Sequence, residues 1–128
     1  MKVLALDYGA ARTGVAVSDP TGTLARPLRV LDDAGSDEGI KELVELVRAE
    51  GAERVVVGLP LTLRGERGSQ AEETERFAEK LEAILGVPVE RFDERFTTTL
   101  AGPGGDEDAR AAAHLLSSYL EWSSNRQP

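Results

Sequence analysis

The sequence predicts an α/β fold in which five strands and three helices follow one another in the order strand, strand, strand, helix, strand, helix, strand, helix. Two observations carry this prediction. Three strand-like runs precede any helical periodicity, as in an antiparallel meander, and from there strands alternate with amphipathic helices. A third observation concerns chemistry: acidic residues stand where the first and last strands end and on the inward face of the last helix.

Residues 3–6 form a continuous apolar run, the pattern of a strand buried on both faces, and residues 15–17 form a second short run rich in valine. Gly9 and Gly14 lie between them and predict a turn. Residues 23–30 read as a third strand, where Pro27 calls for an edge position or a bulge. Ser36 is an N-cap, with Asp37 and Glu38 in the first turn where the helix dipole favours negative charge. Ile40, Leu43, Val44 and Val47 recur at helical spacing up to about Glu50, and Gly51 ends the helix.

Residues 54–58 are a buried strand that runs into a loop, residues 59–68, containing Arg64, Gly65, Arg67 and Gly68. Ser69 and Glu72 have the spacing of a capping box. The helix they open carries a core stripe of Ala71, Thr74, Phe77, Ala78, Leu81, Ile84 and Leu85, and Gly86 stops it. Residues 87–92 make the fifth strand and deliver Asp93, Glu94, Arg95, Phe96, Thr97 and Thr98. After a glycine-rich connection, Asp106, Glu107 and Asp108 open the last helix, expected from Ala109 to about Trp122. Its buried stripe runs through Ala112, Leu115 or Leu116, and Tyr119, with Asp108 on the same face. His114 faces away as a surface residue, Trp122 is a packing anchor, and residues 123–128 are a frayed end.

A chain of 128 residues, 41% hydrophobic, buries a core without staples and is expected to be one domain over residues 1–128. The absence of cysteine excludes a disulfide framework, a thiol nucleophile and a cysteine-type zinc site. No run approaches a membrane span and the start is too short for a signal peptide, which leads to an expected place in the cytoplasm away from membranes. The formal charge of −8 counts against a long-range basic footprint for nucleic acid. Carboxylates that hold divalent cations lose part of that charge, however, so the net value understates tolerance for a polyanion.

The candidate site follows from the acids. Asp7, at the end of a buried strand and followed by Gly9, sits beside backbone that a phosphate can approach closely; the alternative is an ordinary turn. Asp93 and Glu94 surface at another strand end, with Asp93 free to pair with Arg95 instead. Oxygen ligands without histidine or cysteine favour Mg2+ or Mn2+. Such a cluster suits metal-assisted phosphodiester hydrolysis, with no serine, cysteine or histidine triad to compete. Arg12, Arg64, Arg67 and Arg95, with Gly9 and Thr97, are the candidate phosphate contacts, and the two loop arginines could equally be merely solvated.

These residues together resemble the YqgF (RuvX) family, described as Holliday junction resolvases and as nucleases that process the precursor of small-subunit ribosomal RNA. The resemblance runs from Leu4 to about Leu120. It is carried by Asp7-Tyr8-Gly9 with residues 12–19, by Gly58-Leu59-Pro60-Leu61, by Gln70-Ala71-Glu72 and Phe77-Ala78, by residues 93–98, and by Asp108 with Ala112 and Tyr119-Leu120. It implies an RNase H-like fold, a mixed five-stranded sheet flanked by helices. It also implies Asp7, one of Asp93 and Glu94, and Asp108 as metal ligands. The family function is a metal-dependent endonuclease that processes the 5′ end of pre-16S rRNA in ribosome biogenesis or resolves Holliday junctions. Its partners would be structured RNA or branched DNA and the ribosome precursor, with the protein a monomer or homodimer. One departure stands out: family members carry a longer segment, with a further helix and basic residues, where this chain has residues 99–105. The shortened segment and the acidic charge favour an alternative, a catalytically impaired nucleic-acid or ribosome-associated binding module of the same fold. A phosphotransferase of the actin and sugar-kinase type shares the first Asp-x-Gly but needs two lobes.

Overall fold

The structure, a computed structural model, describes residues 1–61, 64–96 and 107–125. Element order matches the sequence reading: β1 (Val3–Asp7), β2 (Arg12–Ser18), β3 (Ala25–Asp32), α1 (Asp37–Glu50), β4 (Arg54–Leu59), α2 (Ser69–Ile84), β5 (Val89–Asp93) and α3 (Glu107–Asn125). The five strands form one sheet in the order β3-β2-β1-β4-β5. The meander β1 to β3 is antiparallel, while β4 pairs parallel with β1, and β5 pairs parallel with β4. The carboxyl ends of β1, β4 and β5 therefore share one edge of the sheet, where ligands bind in open α/β folds.

Alternation along β1 fixes the two layers. Leu4 and Leu6 join Val15, Val55 and Val57 under α1 and α2, packed on Leu43, Val47, Phe77 and Leu81. Val3 and Ala5 face the other way, joining Ala16 and Val56 under Ala112, Leu115, Leu116 and Tyr119 of α3. Successive strand residues point to opposite faces, so a strand buried on both sides reads as one unbroken apolar run.

Several local expectations hold in detail. Ser36 caps α1 by accepting the Gly39 N–H at 3.0 Å, and Gly51 ends that helix in the left-handed region at φ +67°. Pro27 lies on the edge strand at a register shift, where Val15 faces Arg29 and Ala16 faces Pro27. Trp122 rests against Phe92 and Tyr119, with ring centroids 5.6 and 6.0 Å apart.

Others are corrected. Gly14 is not part of the turn but lies within β2 opposite Asp7, because β2 starts earlier, at Arg12. The N-cap of α2 is Gly68, not Ser69: its carbonyl accepts the Glu72 N–H at 3.1 Å and no side chain caps the helix, so the capping box does not form. Gly86 does not terminate α2, which ends at Ile84 as Leu85 turns extended towards Pro88. Ile84 leaves the stripe and is 53% exposed. The last helix runs on through residues 123–125, which are helical rather than frayed, and His114 is half-buried rather than a surface residue. Thr97 and the shortened connection of residues 99–105 lie outside the described residues.

Candidate active site

Three parallel strand ends and one helix start build the site. Asp7 is the last residue of β1 and lies on the face covered by α3, as Val3 and Ala5 do. Both neighbouring strands carry a glycine beside it. Gly14 of β2 is its register partner, and a Cβ there would stand 1.7 Å from the Asp108 carbonyl oxygen, so the first turn of α3 lies directly on the strand. Gly58 of β4 follows the residue paired with Leu6, and a Cβ there would stand 2.6 Å from Glu94 Oε1. One glycine admits the helix that carries Asp108, the other admits the Glu94 carboxyl. Sequence reasoning passed over both roles. The available signal was a glycine inside an otherwise apolar strand, which marks a close approach.

Glu94 opens a 3-10 turn, Glu94–Phe96, directly after β5. Its carboxyl shares a hydrogen bond with Asp7. Burial, that hydrogen bond and the nearby charges of Asp7 and Asp93 push Glu94 up to about 8. Burial also raises Asp7, with the hydrogen bond from Glu94 opposing it and the charge of Asp108 adding to it. At neutral pH the two carboxyls hold one proton between them, because like charges so close do not both ionise in a half-buried place.

Asp93 has a different fate from its neighbour. Its Oδ1 accepts the Arg95 backbone N–H at 3.0 Å, and its two oxygens accept from Arg95 Nε and Nη2 at distances down to 2.6 Å. The guanidinium hydrogen bonds hold Asp93 below the usual carboxylate range, with burial opposing them. Of the two adjacent acids, Glu94 stands beside Asp7, while Asp93 turns to Arg95.

Asp108 is half-buried and pairs with Arg12 Nε at 3.3 Å. Among the described residues no three acid or histidine side chains come close enough together to enclose a metal ion, so the four acids do not form one cage. The sheet assembles a pair, with a third acid whose charge reaches Asp7. Their donor chemistry still fits a hard divalent cation: two half-buried carboxyls share a proton that such an ion would replace, all donors being oxygen.

Of the remaining candidates, Gly9 closes the β1 to β2 turn, where a Cβ would stand 2.5 Å from the Arg12 carbonyl oxygen. Arg64 is exposed and makes no ion pair with a described residue. Arg67 reaches Glu75 of α2 at 3.8 Å. Arg95 packs its guanidinium against Gly65.

A five-stranded mixed sheet in this order, layered by helices and with acids at its parallel edge, defines an RNase H-like protein. Its backbone is similar to that of a Thermus thermophilus RuvC solved in complex with Holliday junction substrate, with a TM-score of 0.64 at 17% identity over 98% of this chain and 97% of that one. The chain belongs to the RuvX family, described as Holliday junction resolvase, which it matches over residues 1–122. Relatives include a protein of Moorella thermoacetica, 44% identical over 94% of this chain and 95% of its own length. Another, from Chloroflexus aurantiacus, is 50% identical over 77% of this chain. Both carry the name "Putative pre-16S rRNA nuclease". The match spans 65% of the length of the Chloroflexus aurantiacus relative.

Proposed function

We propose that this chain is a divalent-metal-dependent endonuclease that cleaves the precursor of 16S ribosomal RNA. The observation that carries the reading is the proton-sharing pair of Asp7 and Glu94 at the parallel edge of the sheet, beside Asp108. The names of the relatives support an rRNA precursor as substrate, while the family description names Holliday junctions. An rRNA precursor also agrees with a cytoplasmic place, and among the described residues no helix is long and apolar enough to cross a membrane.

Asp7 and Glu94 would hold Mg2+ or Mn2+, with Asp108 as the third acid. The bound ion would supply an activated water and stabilise the leaving oxygen of the phosphodiester. The protein's own part is positional and electrostatic. Gly58 leaves room for the Glu94 carboxyl, Gly14 seats Asp108 next to the pair, and Arg12 and Arg64 offer cations to the substrate's phosphates.

The test is cleavage of a labelled 5′-extended 16S precursor RNA and of a four-way DNA junction by pure protein in Mn2+, Mg2+ or EDTA, alongside Asp7→Asn. Metal-dependent cleavage of the RNA that disappears in the variant supports the reading, and cleavage of the junction alone moves the substrate to branched DNA. Wild type and variant that bind nucleic acid but cleave neither substrate would replace the enzyme with a binding module, the reading that the net charge of −8 favours.

A further inference from the structure

The consecutive acids Asp93 and Glu94 point to different partners, and what lies beyond Asp93 gives it a task of its own. Arg95 is gripped by Asp93 through its backbone N–H and through two guanidinium nitrogens. The far side of that guanidinium lies against Gly65: a Cβ at Gly65 would stand 3.3, 3.4 and 3.6 Å from Nη1, Nη2 and Cζ. Gly65 has φ +81°, so both its conformation and its contact with the flat guanidinium favour glycine.

The loop is tied at a second point. Leu61 and Arg67 form an isolated antiparallel bridge, and Arg67 reaches Glu75 at 3.8 Å. Glu75 is itself fixed by Arg91 of β5, with contacts down to 2.7 Å. Along the chain Arg64 lies between Leu61 and Gly65, in the loop that leaves β4 after Leu59. It is exposed and without an ion pair to a described residue, and β4 ends at the edge of the sheet where β1 and β5 deliver Asp7 and Asp93.

We propose that Asp93 is a positioning residue: it clamps Arg95 against Gly65 and thereby holds Arg64 beside the Asp7 and Glu94 pair, where Arg64 takes a phosphate of the RNA. This rests on the nuclease reading of the site and deepens it, assigning the two adjacent acids separate tasks.

The sign of one substitution separates this from simpler accounts. Asp93→Asn removes a negative charge, so a merely local ion pair predicts tighter RNA binding. Positioning predicts weaker binding, because the loop that presents Arg64 loses its support. The experiment measures the affinity of a fluorescein-labelled RNA hairpin by anisotropy in EDTA, for Asp93→Asn, Arg64→Gln and the double variant, with Mn2+ binding followed separately by calorimetry. Each single variant is expected to weaken RNA binding about threefold to tenfold, with the double variant no weaker than either single. Mn2+ affinity is expected to survive Asp93→Asn and to be lost in Glu94→Gln. Tighter or unchanged RNA binding by Asp93→Asn, or losses that multiply in the double variant, would overturn the proposal, as would loss of Mn2+ binding in Asp93→Asn. Wild-type protein that binds no Mn2+ would instead count against the nuclease reading and leave the RNA cycle to decide the role of Asp93.

Discussion

The Glu94 carboxyl occupies the space that a side chain on Gly58 would fill, with Oε1 2.6 Å and Cγ 3.0 Å from the position of the missing Cβ. Leu115 Cδ2 stands 3.0 Å from the same point, so the pocket closes from the helix side as well. Gly58→Ala is expected to move Glu94 off Asp7 while the sheet stays intact. The cost to stability is about 1–3 kcal/mol from overpacking. Cleavage falls on the order of tenfold or more, because a displacement of about 1 Å at reacting groups is already expensive. Urea unfolding and single-turnover cleavage of the same preparation separate the two effects.

Gly14→Ala acts on the scaffold instead. The new Cβ would meet backbone atoms, the Asp108 carbonyl oxygen at 1.7 Å and its carbon at 2.3 Å, and neither can rotate away. Helix α3 must lift from β2, uncovering the layer formed by Ala16, Ala112 and Leu116. A loss of about 3 kcal/mol or more is expected in urea unfolding, towards the severe end for single substitutions.

These two glycines show where the sequence was readable and where it was not. The strands were legible because Val3 to Leu6 and Val55 to Val57 are apolar without interruption, and α1 because Ser36 and Gly51 frame a helical stripe. Asp7 was legible as an acid at a strand end. The choice between Asp93 and Glu94 was not, since adjacent residues at a strand terminus point apart and only the fold decides which of them meets β1. Close approach across the sheet, through Gly14 and Gly58, depends on register between strands distant in sequence. Helix ends were misread where a cap is supplied by backbone alone, at Gly68 and Leu85.

The proton held by Asp7 and Glu94 makes metal-free stability depend on pH. Glu94 moves from an ordinary value of 4.5 to about 8, so between these limits the native chain binds more protons than the unfolded one. Stability then falls as pH rises through that window, contrary to the usual behaviour of a paired carboxylate. Solvent screening of a partly exposed group reduces the effect to on the order of 1–2 kcal/mol. Urea midpoints in EDTA at pH 5 and pH 8 measure it, and Glu94→Gln is expected to flatten the difference.

At the opposite end of α3, Tyr119 is buried and its hydroxyl accepts from Arg54 Nη1 at 2.8 Å and donates to Glu90 Oε2 at 2.6 Å. Tyr119→Phe leaves both charged partners short of a hydrogen bond and is expected to cost about 1–2 kcal/mol. Eleven residues of helix separate it from Asp108, roughly 16 Å along the axis. Cleavage measured well below the unfolding transition is therefore expected to stay at the wild-type rate.

The central claim is that Asp7 and Glu94 share one proton in a place made for a divalent cation. It is tested most directly by following the Glu94 side-chain carboxyl in 13C-glutamate-labelled protein by NMR, assigned with Glu94→Gln, across pH with and without saturating Mg2+. The account predicts a midpoint near 8 without metal that drops below the ordinary 4.5 when Mg2+ is present. A midpoint near 4.5 in metal-free protein, left in place by Mg2+, would contradict it.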